Sequence, residues 1–299
     1  MIIGFIGLGH MGNPMVHNLL KAGFKVNVYD VVPNAVQAAT KAGALAAETL
    51  AILAENSDVI ITSVQTGSQV ADICMMHDGI FSHIAPGKLY IDCSSIDIAT
   101  TQILHDEADK LRISMLDAPV SGGVAGAQAA TLTFMVGGNV TDFERAQPIL
   151  KAMGTKIVHA GLSGSGQAAK ICNNLLLGIS MIGVCEAFSL AEKLGLNPKK
   201  FFEISQSASG QCWSMTNYCP VPGIVENAPS NNEYKPGFMA KMMLKDLRLA
   251  HHAAEAVDLA MPLGAAAAEL YELYVSQGFG EMDFSGIINF IANKRRGTS

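Results

Sequence analysis

Short apolar runs alternate with helical patterns through the first half of the chain. Residues 11–22 have the apolar spacing of an amphipathic helix between the first two runs. This alternation predicts a parallel sheet covered by helices on both faces, with right-handed crossovers. The runs that read as strands are IIGFI, KVNVYD, DVIITSV, KLYIDCS, ISMLDAPV, TLTFMVGG and KIVHAG.

The pattern changes after His159, where a Gly/Ser turn leads into helical periodicity that continues to the end. The first helix there is long and is predicted to end at Gly195, and Pro198 opens the next one. Residues 209–237 are too rich in Pro and Asn for a helix, and loops of this length are usually functional. The predicted fold is a Rossmann-type doubly wound α/β domain at 1–162, followed by an all-helical domain at 163–299 that begins with a long interdomain helix.

Composition narrows the class of protein. Of the 299 residues, 49% are hydrophobic and 15% charged, which excludes a largely disordered chain. The formal charge of −6 comes without a basic run, so nucleic acid is not the expected partner. The excess apolar surface predicts a subunit interface, as in a homodimer or homotetramer.

The chain opens directly on a strand with no charged leader, and the apolar run 175–184 is too short to span a bilayer. We therefore expect a cytoplasmic protein without membrane contact. None of the six cysteines forms a C-x-x-C pair, and no histidine cluster stands near them. Free thiols in a reducing compartment are the favoured interpretation, and no metal site is predicted.

The glycines of GLGHMG follow the first predicted strand and open a helix, which is the context of a dinucleotide-binding turn. Gly7 permits the tight turn, Gly9 lets the backbone approach a pyrophosphate, and Gly12 allows close packing of helix on strand. The free N–H groups at the helix start favour an anion. A Gly-rich turn without a ligand is the alternative.

Asp30 ends the second predicted strand, where a carboxylate can accept hydrogen bonds from both hydroxyls of an adenosine ribose. It would repel a 2′-phosphate, and the following residues Val31, Val32 and Pro33 provide no arginine to hold one. NAD is therefore predicted rather than NADP. Asp30 is also a candidate cap for the helix that begins at Pro33.

Lys170 lies in a segment of apolar and small residues, where burial of an ammonium costs free energy unless it is compensated. Asn174 follows one helical turn later, so both side chains share a face of the helix. A lysine that snorkels to solvent is the alternative. Trp213 and Phe238 are candidate walls of a substrate pocket, although a buried packing role for Trp213 is an equal alternative.

Four ordered motifs spread over nearly the whole chain resemble the β-hydroxyacid dehydrogenase family. The loop GQCWSMTNYCPVPG further resembles the 3-hydroxyisobutyrate dehydrogenase branch of that family. The motifs are GFIGLGHMG at 4–12, DAPVSGG at 117–123, GSGQAAKICNN at 164–174 and KDLRLA at 245–250.

The resemblance implies a role for each matching residue. Lys170 would be the catalytic acid/base and Asn174 would hold the substrate, in a cleft between the two domains. The substrate carboxylate would bind to Ser121, Gly122 and Gly123, whose backbone N–H groups suit an anion nest; a flexible turn is the alternative. The predicted cofactor-binding set is Gly7, Leu8, Gly9, His10, Met11, Gly12, Asp30, Val64, Gln65, Gln69, Ser95 and Lys245.

The chain departs from the family pattern in two places. The family usually has Leu-Pro where this chain has Val64 and Gln65, so the loop beside the nicotinamide is expected to be looser. Ser95 stands where the family commonly has Thr, which keeps the hydroxyl and loses the methyl.

The implied reaction is NAD-dependent oxidation of 3-hydroxyisobutyrate to methylmalonate semialdehyde, a step of valine breakdown. The lysine must take the hydroxyl proton, and desolvation or a neighbouring cation would lower its pKa from about 10.4 towards about 8. Tartronate semialdehyde or another short β-hydroxyacid is a rival substrate. A non-catalytic NAD-binding scaffold is a rival of another class, against which the presence of Lys170 and Asn174 argues.

Overall fold

The computed structural model describes residues 1–293. Two compact units make up the chain, Met1–Lys170 and Ile171–Ser299. The predicted domain boundary at residue 162 precedes a long helix, whereas the compact units separate inside that helix. Each unit is described in turn below.

The first unit is built on one twisted sheet in the order β3-β2-β1-β4-β5-β6-β8-β7, with β9 paired to the free side of β8. Strands β3 to β6 of this order pair in parallel, which is the 3-2-1-4-5-6 arrangement of a dinucleotide-binding domain. The strands are β1 Ile2–Ile6, β2 Lys25–Tyr29, β3 Leu45–Ala46, β4 Val59–Thr62, β5 Leu89–Asp92, β6 Ser114–Asp117, β7 Val120–Ser121, β8 Leu132–Gly138 and β9 Gly154–Gly161.

Helices cover both faces of this sheet, because the central strands are apolar on both sides. Ile61 and Ile91 belong to one buried layer with Met15. Their neighbours Ile60 and Tyr90 point the other way, into a second layer. The predicted doubly wound fold is confirmed. The helices of this unit are α1 Gly12–Lys21, α2 Pro33–Lys41, α3 Leu50–Glu55, α4 Gly67–Met75, α5 Ile98–Lys110, α6 Gly123–Gln128 and α7 Val140–Leu150.

The predicted strand ISMLDAPV is interrupted rather than continuous. β6 ends at Asp117, and β7 resumes at Val120 as a separate two-residue strand that pairs antiparallel with β8. Pro119 between them has no N–H to donate to a ladder. β8 also runs antiparallel to β6, so the expectation of a wholly parallel sheet is wrong at this edge.

The second unit is helical, as predicted. The 29-residue α8 ends just before Gly195, whose φ of +79° provides the left-handed residue that commonly closes a helix. The loop 209–237 is mostly irregular but contains α10, which is one helical turn long. The helices are α8 Ser165–Lys193, α9 Pro198–Ser205, α10 Trp213–Thr216, α11 Ala240–Glu255, α12 Pro262–Tyr274 and α13 Ile287–Ile291.

By length and composition alone, α8 is able to cross a membrane. The apolar run 175–184 was predicted to be too short for this, but the helix that contains it is much longer. Its residues Met181, Cys185 and Phe188 belong to the buried core of the second unit. Core helices share the same length and composition, so these properties do not distinguish the two cases.

Candidate functional site

The turn between β1 and α1 requires glycine at two positions for reasons internal to the protein. Gly7 has a φ of +94°, and a Cβ there would collide with the carbonyl oxygen of Ser63. A Cβ on Gly12 would collide with the carbonyl oxygen of Gly7. These two glycines let β1, the turn and α1 pack as closely as they do.

Gly9 has no such reason to be glycine. Its φ is not in the left-handed region, and a Cβ there would meet nothing within 4 Å. The start of α1 beside it has no side-chain cap, so no capping side chain occupies this helix end. Open backbone at a helix start without a side-chain cap fits the pyrophosphate of NAD, with Gly9 keeping the approach clear.

Asp30 ties the end of β2 to the glycine turn. Its Oδ2 accepts the Leu8 N–H at 2.5 Å, and its Oδ1 accepts the Val32 N–H at 2.8 Å. The interpretation of Asp30 as the cap of α2 is wrong, because Val32 occupies that position without a side-chain hydrogen bond. Each carboxylate oxygen retains a lone pair, which leaves Asp30 able to accept from ribose hydroxyls.

The other predicted residues of this turn differ in their surroundings. The Leu8 side chain is buried in the sheet core, and Met11 packs against the same core. His10 is exposed.

The loops after β4 and β5 are joined to each other. The Val64 N–H donates to Ser94 Oγ at 3.0 Å. Gln69 Oε1 accepts from the N–H groups of Gln65 and Thr66, which makes it part of a capping box at the start of α4. Ser95 follows Ser94 and is half-buried. The contacts of Val64, Gln65, Gln69 and Ser95 with NAD stay predictions.

Asp92 organises these two loops, and the sequence analysis did not single it out. Its Oδ1 accepts from Thr62 Oγ1 at 2.7 Å and from the Ser94 N–H at 3.0 Å. Its Oδ2 is buried without a hydrogen-bond partner among the described residues. Burial raises the pKa of Asp92 from 3.8 to about 6, against the opposing effect of the hydrogen bonds from Ser94 and Thr62.

This raised pKa predicts a pH-dependent stability. Between about pH 4 and 6 the folded protein binds a proton that the unfolded chain has released, so the free energy of unfolding falls as the pH rises through this range. The fall is at most about 3 kcal/mol. Asp92→Asn keeps the accepting oxygen and removes the buried charge, so we expect it to flatten this slope and not to lower stability at pH 7.5. Urea unfolding at pH 4.5 and 7.5 measures both. A loss above about 2 kcal/mol at pH 7.5 with an unchanged slope would contradict the assignment.

The loop after β6 has a conformation that only glycines adopt readily. Ser121 ends β7, half-buried and paired with Thr133 of β8. Gly122 and Gly123 then have φ values of +133° and +61° in succession. Consecutive glycine N–H groups beside a serine hydroxyl can bind a carboxylate.

Lys170 and Asn174 both lie on α8, one turn apart, and both are buried. Lys170 is 9% exposed and Asn174 is 2% exposed. This burial does not fit a lysine that snorkels to solvent. A buried ammonium is instead typical of a group that takes part in function.

Asp246 fixes the amide of Asn174 and was missed from the sequence. Asn174 Nδ2 donates to Asp246 Oδ2 at 2.5 Å, and Asn173 Nδ2 donates to Asn174 Oδ1 at 3.0 Å. Lys245 Nζ lies 3.2 Å from Asp246 Oδ1. That oxygen has no partner with hydrogen-bond geometry among the described residues, so the two charges attract without a directed bond. The only signal in the sequence was the acidic residue next to Lys245.

Trp213 and Phe238 are linked through the buried carboxylate of Asp283. Trp213 is 50% exposed and stacks on Tyr218, with ring centroids 5.0 Å apart. Asp283 Oδ2 accepts from Tyr218 Oη at 2.8 Å and from the Phe238 N–H at 3.0 Å. The interpretation of Trp213 as a buried packing residue is wrong. Its open face suits the wall of a pocket.

All six cysteines are free thiols, and four of them are buried. Within residues 1–293, no group of three or more His, Cys, Asp or Glu side chains is placed to hold a metal ion.

Two family models together match nearly the whole chain. Residues 2–161 match the NAD-binding domain of 6-phosphogluconate dehydrogenase. Residues 164–291 match the NAD-binding domain of NADP-dependent 3-hydroxyisobutyrate dehydrogenase.

Relatives cover the chain at high identity. An NAD-dependent L-serine dehydrogenase of Pseudomonas aeruginosa is 47% identical over 95% of both chains. The mitochondrial 3-hydroxyisobutyrate dehydrogenase of Homo sapiens is 43% identical over 97% of this chain and 86% of its own. The structure of Mycobacterium tuberculosis 3-hydroxyisobutyrate dehydrogenase with L-serine is 42% identical and superposes with a TM-score of 0.92, covering 97% of this chain and 98% of that one. The chain therefore belongs to the family of NAD-dependent 3-hydroxyisobutyrate dehydrogenase-like enzymes.

Proposed function

We propose that the protein oxidises 3-hydroxyisobutyrate to methylmalonate semialdehyde with NAD, and that Lys170 is the general acid/base. One observation carries the proposal: a buried lysine stands one helical turn before a buried asparagine on α8. In a family of hydroxyacid dehydrogenases, this pair supplies the proton acceptor and the hydrogen-bond donor that an alcohol requires.

NAD, when bound, would supply the acceptor for the hydride of the alcohol carbon but no group for the accompanying proton transfer. Lys170 removes the proton from the substrate hydroxyl and returns it in the reverse direction. Asn174 donates a hydrogen bond to the same hydroxyl, because Asp246 and Asn173 hold its amide in one orientation. The N–H groups at Gly122 and Gly123, with the hydroxyl of Ser121, bind the substrate carboxylate.

L-Serine is a second candidate substrate, since it differs from 3-hydroxyisobutyrate only by an ammonium in place of the methyl group. Two similar proteins, from Pseudomonas aeruginosa and Mycobacterium tuberculosis, carry serine in their names or titles. In this chain, the buried Asp246 Oδ1 lacks a directed hydrogen bond and is a possible acceptor for an ammonium. Lys245 at 3.2 Å opposes this, because it adds a positive charge where the ammonium would bind. The balance favours the methyl-bearing substrate.

Steady-state kinetics with NAD on 3-hydroxyisobutyrate, L-serine and glycerate test the proposal. We expect kcat/KM for 3-hydroxyisobutyrate to exceed both others by at least about tenfold, since one apolar group is worth roughly 10- to 200-fold in such a pocket. A higher value for L-serine would transfer the assignment to that substrate, and a higher value for glycerate would favour a tartronate semialdehyde reductase. An enzyme that binds NAD but oxidises none of them would support the non-catalytic scaffold.

We also propose that the chain works as a homo-oligomer in valine breakdown. Support for the assembly comes from the second unit, where α8 exposes the large apolar side chains of Leu176 and Leu190. Light scattering of the purified protein measures the mass, and a monomer at all concentrations would contradict the proposal.

A further inference from the structure

We propose that Asp117 and Gln167 are positioning residues that clamp the first turn of α8 to the sheet and thereby fix the place of Lys170. The inference rests on the proposed function, because it takes Lys170 as the base. Every contact that forms the clamp lies within residues 1–170, the first compact unit.

Asp117 forms the first half of the clamp from the carboxyl end of β6. Its carboxylate is fully buried. Oδ1 accepts the Gly164 N–H at 2.8 Å and Oδ2 accepts the Gln167 N–H at 2.9 Å, so both oxygens bind the start of α8. His105 Nε2 lies 3.0 Å from the same Oδ1 and gives the carboxylate a further contact. Negative charge at a helix start is also favourable to the helix dipole.

The fit between helix and strand is too close for any side chain larger than hydrogen. A Cβ on Gly166 would come within 2.5 Å of the Asp117 carbonyl oxygen. A Cβ on Gly137 of β8 would come within 2.6 Å of Asp117 Oδ1 and 2.7 Å of the Gly166 nitrogen. The start of α8 is therefore seated against the backbone of the sheet itself.

Gln167 forms the second half of the clamp towards the carboxyl end of β5. Its side chain is fully buried. Nε2 donates to the Ser94 carbonyl at 2.8 Å and Oε1 accepts the Ile96 N–H at 3.2 Å. The amide nitrogen faces a carbonyl and the amide oxygen faces an N–H, so only one of the two flipped orientations of the Gln167 amide forms both hydrogen bonds. Removal of the amide would leave two buried backbone groups without partners.

The clamp connects three segments that the sequence assigns to the reaction. Lys170 follows Gln167 by three residues, less than one helical turn. Ser95, predicted to lie near the cofactor, is the residue between the two that Gln167 binds. The loop that ends in Ser121 to Gly123 begins directly after Asp117. A displacement of a catalytic group by about 1 Å can lower the reaction rate about a hundredfold. A clamp that holds the first turn of α8 rigidly against the sheet therefore contributes to the rate.

A double-mutant cycle separates positioning from a general structural role. Gln167→Met is measured in the natural enzyme and in Lys170→Ala, by steady-state turnover where possible and by single-turnover NADH formation in the slower enzymes. We expect Gln167→Met alone to lower kcat by at least about tenfold, with the Kd for NAD changed less than about threefold. In the Lys170→Ala background, the same change should lower the residual rate by no more than about twofold, because the residue acts through Lys170.

Ser57→Ala is the matched control. Ser57 is also buried, and its Oγ donates to the Leu53 carbonyl at 2.6 Å, far along the chain from α8. We expect its kcat to be unchanged. If Gln167→Met does not yield folded protein, Asp117→Asn tests the same clamp, because its amide cannot accept both helix N–H groups.

The clamp proposal would be wrong if Gln167→Met lowered the rate equally in the natural enzyme and in Lys170→Ala, or lowered it in neither. Both outcomes would leave the proposed function intact. A Lys170→Ala enzyme with normal turnover would overturn both.

Discussion

Lys170→Ala is expected to lower turnover by at least about a hundredfold while NAD binds with unchanged affinity. The Lys170 side chain is buried on α8, so a water molecule does not readily replace its amino group as the proton acceptor. Its loss removes both the acceptor of the hydroxyl proton and the positive charge that stabilises a developing alkoxide. Initial rates with saturating hydroxyacid and fluorescence titration with NADH measure the two effects separately.

Lys170→Arg distinguishes the two functions of the ammonium. Arginine keeps the charge but cannot release its proton at accessible pH, so we expect it to be nearly as inactive as alanine. Lys156→Ala is the matched control, because Lys156 is an exposed lysine on β9 of the same unit. Turnover within about threefold of the natural enzyme in Lys170→Ala would show that another group is the base.

Gly9→Ala is expected to weaken NAD binding by at least about tenfold and to leave the thermal unfolding midpoint nearly unchanged. A Cβ at this position meets no protein atom within 4 Å, so the folded chain alone tolerates it. The bound pyrophosphate does not, because Gly9 is where the backbone must come closest to the ligand. Calorimetric titration with NAD and thermal unfolding without NAD give the two values.

Gly12→Ala provides the contrasting case. Its Cβ would collide with the Gly7 carbonyl, so we expect a lower unfolding temperature even without NAD. Gly183→Ala is the matched control on α8, where a Cβ also meets nothing within 4 Å and helix propensity favours alanine. If the Gly9→Ala protein bound NAD with normal affinity, the prediction that the pyrophosphate binds at this turn would be wrong.

The fold of the first unit was predictable because buried parallel strands carry their own signal. Runs such as VII in β4 are apolar at consecutive positions rather than at alternate ones, which distinguishes them from half-exposed strands. The break between β6 and β7 was not predictable, since Pro119 is compatible with an edge strand as well as with an interruption. The direction of β8 depends on its partner β6, and no local pattern contains that information.

The candidate site was predictable where chemistry and spacing coincide, as for Lys170 and Asn174. Asp117 and Gln167 were not identified, because their value lies in backbone groups that are distant in sequence and meet them only in the fold. Thr66 and Gln69 have the spacing of a capping box, which was visible in the sequence and gives the Gln69 side chain a structural role beside its predicted contact with NAD.

Trp213 is the only tryptophan in the chain, and half of its surface is open while the other face rests on Tyr218. Intrinsic emission excited at the red edge of protein absorption therefore comes from a single indole. The emission wavelength reports the polarity around Trp213 in the loop 209–237, and the measurement needs no dye or engineered label. Stopped-flow mixing with a non-reactive short carboxylate would measure the rate at which a ligand reaches the surroundings of Trp213. The absorbance of NADH measures the rate of the chemical step separately.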